Sequence, residues 1–487
     1  MSGGLGGLDV AILTGYFAGV LLLGLRMGRG AATLADYAVA GRDRPWWLVM
    51  LSIVATETST VTFLSIPGFA YARDLTWLQL GVGFALGRVA VALLLLPRYF
   101  DGDLLTAYEL LGRRFGPSAQ RACSALFLIT RTLADGLRLF LTAIVLEELS
   151  GLPLWGAVVL LGAVTAAYTF GGGMRAVLWA DALQFLVYVA GGVLALLRLD
   201  ELTAGGWRHA LAAADAEGKL RAVSLSLDPS DPYTLAAGVL GGVFVTLGSH
   251  GVDQMLVQRY LCARSLRAAA TALVVSGLVV LAQFALFLAV GLALHAFFAQ
   301  TPPAVPLDRP DRAFAHFIVA WMPTGMLGLL LGSVLSAAMS TLSSSLNSSA
   351  VTATNDFYRP LLRPGASPGE LLRASRRFTL AFAALQVVVG VAGQWLDASV
   401  IASVLAVASF ALGILLGAFF LALFAPGARE PDALAGIGGG LMMMSGLAFG
   451  TTLAWPWYAL VGSTLTFLCG VAAAALRSSA GNVAGRA

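Results

Sequence analysis

Ala55-Thr56-Glu57-Thr58-Ser59-Thr60-Val61-Thr62, with Pro67-Gly68 five residues on, puts five hydroxyls and a carboxylate inside an apolar run extending from about residue 46 to 69. A charged side chain at the centre of a membrane helix costs about 2.5–3.5 kcal/mol on insertion scales, so such groups face an interior or a pathway. The pattern therefore suits a helix that unwinds mid-membrane and offers its backbone carbonyls to a ligand. Hydroxyls bonded back to their own helix would also explain the serines and threonines. Glu57 needs a partner that packing alone does not supply.

Composition places this run in lipid. Of 487 residues, 58% are hydrophobic and 11% charged, whereas soluble domains carry about 25% charged residues. Two or three soluble domains would need far more polar surface than this, which excludes soluble enzymes and disordered scaffolds. The 30 basic and 26 acidic residues leave a net charge of +4, too small and too scattered for a nucleic-acid binder. Cys123, Cys262 and Cys469 lack the paired spacings of zinc or redox sites and read as packing residues.

A hydrocarbon core about 30 Å thick takes about 20 apolar residues per helix. On that ruler the chain divides into about 13 spans, near residues 9–28, 46–69, 76–98, 118–147, 154–172, 177–197, 233–257, 268–297, 322–354, 375–394, 398–424, 433–451 and 455–476. The first apolar run, Val10 to Leu25, lacks a basic leader and is followed by Arg26 and Arg29, so it reads as a retained span. With the N-terminus outside, 20 arginines, Arg259 and Arg486 among them, fall on the cytoplasmic side. Seven basic residues fall opposite, mostly in the long loops 198–232 and 297–321, and Arg88, Arg131 and Arg138 lie inside spans. A multi-pass protein of the cell membrane follows, its C-terminus cytoplasmic, with a surface helix expected near Leu202 to Ala214.

A second interruption, Thr246-Leu247-Gly248-Ser249-His250-Gly251-Val252-Asp253-Gln254, falls in the seventh span. The two interruptions lie five spans apart, as an inverted repeat requires, and the pairing points to a midplane binding site. The ninth span ends in a serine-rich face that includes Ser336, Ser340, Thr341, Ser343, Ser344 and Asn347. Its hydroxyls recur at i, i+3 and i+4 on one side, an oxygen lining suited to Na⁺ or, more plainly, a small-residue packing face. Asp181 is a lone carboxylate in its span and needs a cation or a proton. Arg131, Asp135 and Arg138 share one face of the fourth span, as an internal ion pair or a solute contact.

These motifs together resemble the sodium:solute symporter family. The resemblance rests on the interrupted second span with Pro67-Gly68, on Thr106-Ala107-Tyr108-Glu109-Leu110-Leu111 with Arg114-Phe115-Gly116, and on Gly172-Gly173-Met174 leading to Asp181 and Gln184. It rests also on Asp253-Gln254 with Val257-Gln258-Arg259, and on Ser340-Thr341 running to Leu346-Asn347-Ser348. It implies an all-α fold of the LeuT type, in which residues 1–45 form an extra first helix and loop, 46–197 and 233–424 two inverted five-helix repeats around the loop 198–232, and 425–487 two further helices and a tail.

The resemblance further implies Na⁺-coupled import of a small polar solute. Its main sodium site maps onto Ala55, Thr58, Ala337, Ser340 and Thr341, and a second onto Asp181, Ser340, Ser343 and Ser344. Solute contacts map onto Glu57, Ser59, Thr62, Thr246, Ser249 and His250, with Trp77 as an aromatic wall. Arg138 would suit a carboxylate. The chain has Gly81, Leu405 and Ser249 where the family's sugar carriers place polar or gating side chains, so a glucose-like solute is not implied. The expected partners are that solute and the bilayer, with no nucleic acid and no obligatory protein partner. A channel lacks its filter loop here, and the dispersed histidines His209, His250, His295 and His316 make no catalytic centre. Proton coupling at Glu57 or Asp181, or a non-transporting sensor, are the remaining alternatives.

Overall fold

A computed structural model describes residues 5–27, 32–303, 307 and 309–484. Arg29 and Arg486 lie outside the described residues. In lipid each backbone polar group must be satisfied within its own segment, so the apolar runs become helices. The main ones are α1 (Gly7–Met27), α2 (Trp46–Glu57), α3 (Thr60–Ala72), α4 (Leu78–Leu94), α5 (Pro117–Ser150), α6 (Leu154–Leu202) and α7 (Gly242–Gly251). They continue with α8 (Gln254–Tyr260), α9 (Leu266–Gln300), α10 (Met326–Thr352), α11 (Pro368–Ala392), α12 (Ala398–Phe424), α13 (Glu430–Gly450) and α14 (Trp457–Ala484).

At 49 residues, α6 would run about 74 Å if straight, more than twice the bilayer core. It is two spans hinged at Gly173, whose φ of +54° and ψ of −152° suit glycine alone. A side chain there would also meet the Tyr37 carbonyl, which lies 2.7 Å from where a Cβ would sit. By length and apolarity eight of the described helices could cross a membrane, or nine with α2–α3 taken as one broken span, so the thirteen spans read from the sequence are not established by the helices alone. The chain leaves the helix between α2 and α3 and again between α7 and α8.

The first break falls at Thr58 and Ser59, both in extended backbone, and the two halves bend by 62°. Ser59 Oγ accepts from the Thr62 N–H at 3.3 Å and starts α3. Pro67-Gly68 does not end the unwound part, as the sequence suggests, but lies within α3. It marks close backbone crossings instead: a Cβ on Gly68 would lie 2.7 Å from the Pro310 carbonyl oxygen, and one on Gly291 of α9 would lie 2.2 Å from that of Pro67.

The second break is also displaced from its expected centre. A π-helical turn, Ala237–Gly241, leads into α7, and the backbone leaves the helix only at Val252 and Asp253. Asp253 Oδ1 then accepts from the Met255 N–H at 2.9 Å and caps α8. The polar run is helical where α7 lies against α4 through glycines: a Cβ on Gly87 would come within 2.9 Å of the Val243 carbonyl oxygen and one on Gly83 within 3.0 Å of the Gly242 Cα.

In the loop after α6 a short helix, Gly206–Ala216, begins four residues later than expected, after Gly205 at φ +82°. Lys219 donates to the carbonyls of Tyr71 and Arg73 and caps α3. Arg221 donates twice to Asp74 Oδ2, at 3.0 and 2.7 Å. Burial works to raise the Asp74 pKa, but hydrogen bonds from Thr76 and Arg221 outweigh it and hold the group below its ordinary value. A depressed carboxylate pKa adds stability above the unfolded value of about 3.9, and that stability is lost as pH falls through the folded value. The Leu75 N–H bond to the Arg221 carbonyl, 3.0 Å long, should therefore stay protected from hydrogen exchange at about pH 5 and open only below about pH 4. Opening between pH 5 and 7 would contradict this anchor.

Candidate ion and solute site

Asp181, on the second half of α6, is fully buried. Its Oδ2 accepts from Ser52 Oγ and from Thr56 Oγ1 on α2, the latter at 3.2 Å, and its Oδ1 accepts from Ser340 Oγ on α10 at 2.7 Å. Ser52 and Thr56 stand four residues apart, so both face Asp181 from one side of α2. The carboxylate is not alone, as the sequence reading had it: Arg259 Nη2 lies 2.9 Å from Oδ2, and both side chains are excluded from solvent. Arg259 is therefore a core residue of α8 and not part of a cytoplasmic loop. Its place only a few residues before Arg264 and Arg267 is what makes it read as a cytoplasmic-loop arginine.

Next to this hub, the break frees the last carbonyls of α2, among them those of Ala55 and Thr56, from helical pairing. Thr341 Oγ1 on α10 reaches across to donate to the Thr56 carbonyl at 3.1 Å and lies 3.3 Å from the Ala337 carbonyl. Ser343 and Ser344 both bond back to the Ser340 carbonyl, at 3.1 and 2.6 Å. The Thr58 hydroxyl is taken up by the Val54 carbonyl at 3.0 Å and by Gln283 Nε2 at 2.8 Å, which leaves its own carbonyl as the group it offers at the break. Among the described residues no three His, Cys, Asp or Glu converge as a transition-metal site would require. Neutral oxygens around one carboxylate are the donor set a hard monovalent cation takes.

Glu57, at the end of α2, pairs with Arg88 of α4, and His250 Nε2 lies 3.6 Å from the same carboxylate oxygen. Arg88 is fully buried, and neither its Nε nor its Nη1 has a hydrogen-bond partner. His250 Nδ1 is bonded to Ser249 Oγ at 3.0 Å. A chain of charges runs along α5 to the second break. Arg138 Nη1 pairs with Asp135 at 2.6 Å, Arg131 lies 3.6 Å from the same carboxylate, and Arg131 also pairs with Asp253.

Arg138 lines two cavities. One is narrow and is bounded by Ser59, Thr60, Asp135 and Thr341 at the first break. The other is wider and is bounded by Arg131, Asp253, Ser409 and Leu405 at the second.

Of the proposed solute contacts, Glu57 and His250 come together, and Ser59 and Arg138 share a cavity. Thr62 lies one turn inside α3, its hydroxyl 3.2 Å from Ser59 Oγ. Thr246 instead packs against α4, where a Cβ on Gly87 would be 2.5 Å from its own Cβ. Trp77 lies edge-on or tilted against Phe69, Tyr233 and Phe284 at the N-terminal end of α4, away from the Glu57 pair. Arg88, Arg259 and Ser52 were not singled out for the site from the sequence. Asp181's need for a cation, set beside the Arg259 motif, is the signal that pointed to one of them.

Comparison with known proteins adds three findings. The human sodium/iodide cotransporter is 31% identical over 444 residues, covering 89% of this chain and 68% of that protein. The sodium-coupled monocarboxylate transporter 2 of Bos taurus is 28% identical, over 87% of this chain and 69% of that protein. A Na⁺-coupled sialic acid symporter, solved in a substrate-bound outward-open state, superposes with a TM-score of 0.89 at 26% identity, over 97% of this chain and 98% of that one. The broken helices, the oxygen-lined α10 and a match to the model of the Sodium:solute symporter family over residues 37–440 agree, and the chain belongs to that family.

Proposed function

We propose that this Na⁺-coupled symporter carries a small anion, either a carboxylate or an inorganic anion, by alternating access. As a member of its family it is a multi-pass membrane transporter with Na⁺ as coupling ion. The anionic solute is supported above all by Arg138, which lines the cavities at both breaks. It is further supported by relatives named for iodide, monocarboxylates and sialic acid.

In this reading the main ion sits among the Ala55, Thr58 and Ala337 carbonyls and the Ser340 and Thr341 hydroxyls. A second takes Asp181 with Ser340, Ser343 and Ser344. Residues 46–197 and 233–424 are the repeats that rock against each other, and the N-terminus lies outside and the C-terminus in the cytoplasm of a cell membrane. The arginines of the short loops support that orientation. Glu57 and Asp181 each have an arginine partner, which argues against a proton as the coupling ion at either. Ion and solute then strengthen each other's binding by one shared factor.

Uptake into proteoliposomes tests this. An inward Na⁺ gradient should concentrate one of iodide, short monocarboxylates or sialic acid. Arg138→Gln should raise the KM for it by roughly tenfold to a hundredfold, the range for a lost charge-assisted bond. Equal uptake with choline in place of Na⁺, or accumulation of glucose alone, would overturn the reading.

A further inference from the structure

We propose that Arg259 is a resident counter-cation of the Asp181 site: its guanidinium fills the site when no ion is there, and Na⁺ binds by displacing it. This rests on Asp181 with Ser340, Ser343 and Ser344 being a sodium site, and adds what the ion competes with.

The geometry carries the inference. Arg259 Nη2 lies 2.9 Å from Asp181 Oδ2 and also bonds Ser344 Oγ and Thr56 Oγ1, while Nε bonds Ser52 Oγ at 2.9 Å. Asp181 and Ser344 are two of the groups the ion would need. Ser344 gives its one proton to the Ser340 carbonyl, so it can serve a cation only through its lone pairs, and the guanidinium has taken one of them. Two positive charges held against one carboxylate and one serine oxygen lie close enough to repel strongly in a buried site. The guanidinium does not lose its proton in proteins, so the conflict is settled by movement and not by titration. Asp181 Oδ1 is bonded by Ser340 alone among the described side chains, which leaves the face toward α10 as the ion's approach.

Arg259 stands on α8, the short half of the second broken helix, and its contacts reach α2, α6 and α10. When the ion leaves, the guanidinium closes behind it and ties these four helices together. A tethered competitor of this kind lowers the affinity for the ion and favours its release. It also leaves the empty site electrically balanced, which a bare buried carboxylate would not be.

Sodium titration of the purified full-length protein, followed by calorimetry and by thermal shift without solute, tests the inference. Arg259→Gln should bind Na⁺ at least about tenfold more tightly than the parent, within the range by which exclusive ligands of one protein oppose each other. The double variant Asp181→Asn/Arg259→Gln should lose that gain. A folded Arg259→Gln protein with parental or weaker sodium affinity overturns the competition. If the double variant loses an ion while Arg259→Gln matches the parent, the sodium site stands and only the competition fails. If Arg259→Gln and the double variant titrate alike, Asp181 holds no ion and the underlying site assignment fails too. Should Arg259→Gln not fold, Arg259→Lys keeps the charge but not the planar fork. It should still bind Na⁺ more tightly than the parent, and an unchanged affinity rejects the proposal.

Discussion

Glu57→Ala is expected to lower folding stability by about 3–5 kcal/mol, because it leaves Arg88 as a buried charge without its partner. Arg88 is fully excluded from solvent and already has two unpartnered nitrogens, so no neighbouring carboxylate stands ready to replace the lost one. His250 cannot replace the lost charge, since an imidazole is neutral or positive and never negative. The double replacement Glu57→Met/Arg88→Met removes both charges and keeps the volume, and swaps of this kind are close to neutral or better. Thermal unfolding in detergent should therefore show a large drop for the single variant and recovery for the double. A single variant that melts with the parent would mean that Arg88 draws its compensation from elsewhere.

The second large effect falls on coupling. Thr341→Val keeps the shape of the side chain and removes the hydroxyl that links α10 to the Thr56 carbonyl at the first break. A bond to a charged group contributes about 1.5–3 kcal/mol, which at about 1.4 kcal/mol per factor of ten raises the sodium requirement roughly tenfold to a hundredfold. Uptake measured against sodium concentration at saturating solute reads this directly, and the melting point should change little. If half-maximal sodium is unmoved, Thr341 is not an ion ligand.

Much of the architecture was legible in the sequence because lipid imposes it. The thirteen apolar runs, the two interruptions five spans apart and the oxygen face of α10 all follow from the cost of leaving polar groups in hydrocarbon. Breaks were harder to place within their runs. Pro67-Gly68 reads as a helix stop, yet it serves the close crossing of α3 by α9 and the Pro310 loop. Thr246 to His250 reads as the second break, yet it stays helical beside the α4 glycines until Val252. Partner assignments were the least accessible. The need of Glu57 and Asp181 for cations was clear, but Arg88 and Arg259 lie 31 and 78 positions away in the chain. Only the tertiary fold brings Arg88 of α4 to Glu57 of α2 and Arg259 of α8 to Asp181 of α6, and no local period encodes that.

The charges at the two breaks have a consequence for how the membrane potential acts on the protein. Arg88, Arg131, Arg138 and Arg259 are joined by ion pairs to Glu57, Asp135, Asp181 and Asp253, four positive against four negative. A potential does about 2.3 kcal/mol of work per elementary charge per 100 mV, and only on net charge that moves. Changing sides empty, these eight paired charges present no net charge for the field to pull on. On the proposed loading of two sodium ions and a monovalent anion, one positive charge would move inward. The voltage would then drive the loaded stroke and leave the empty return to thermal motion alone.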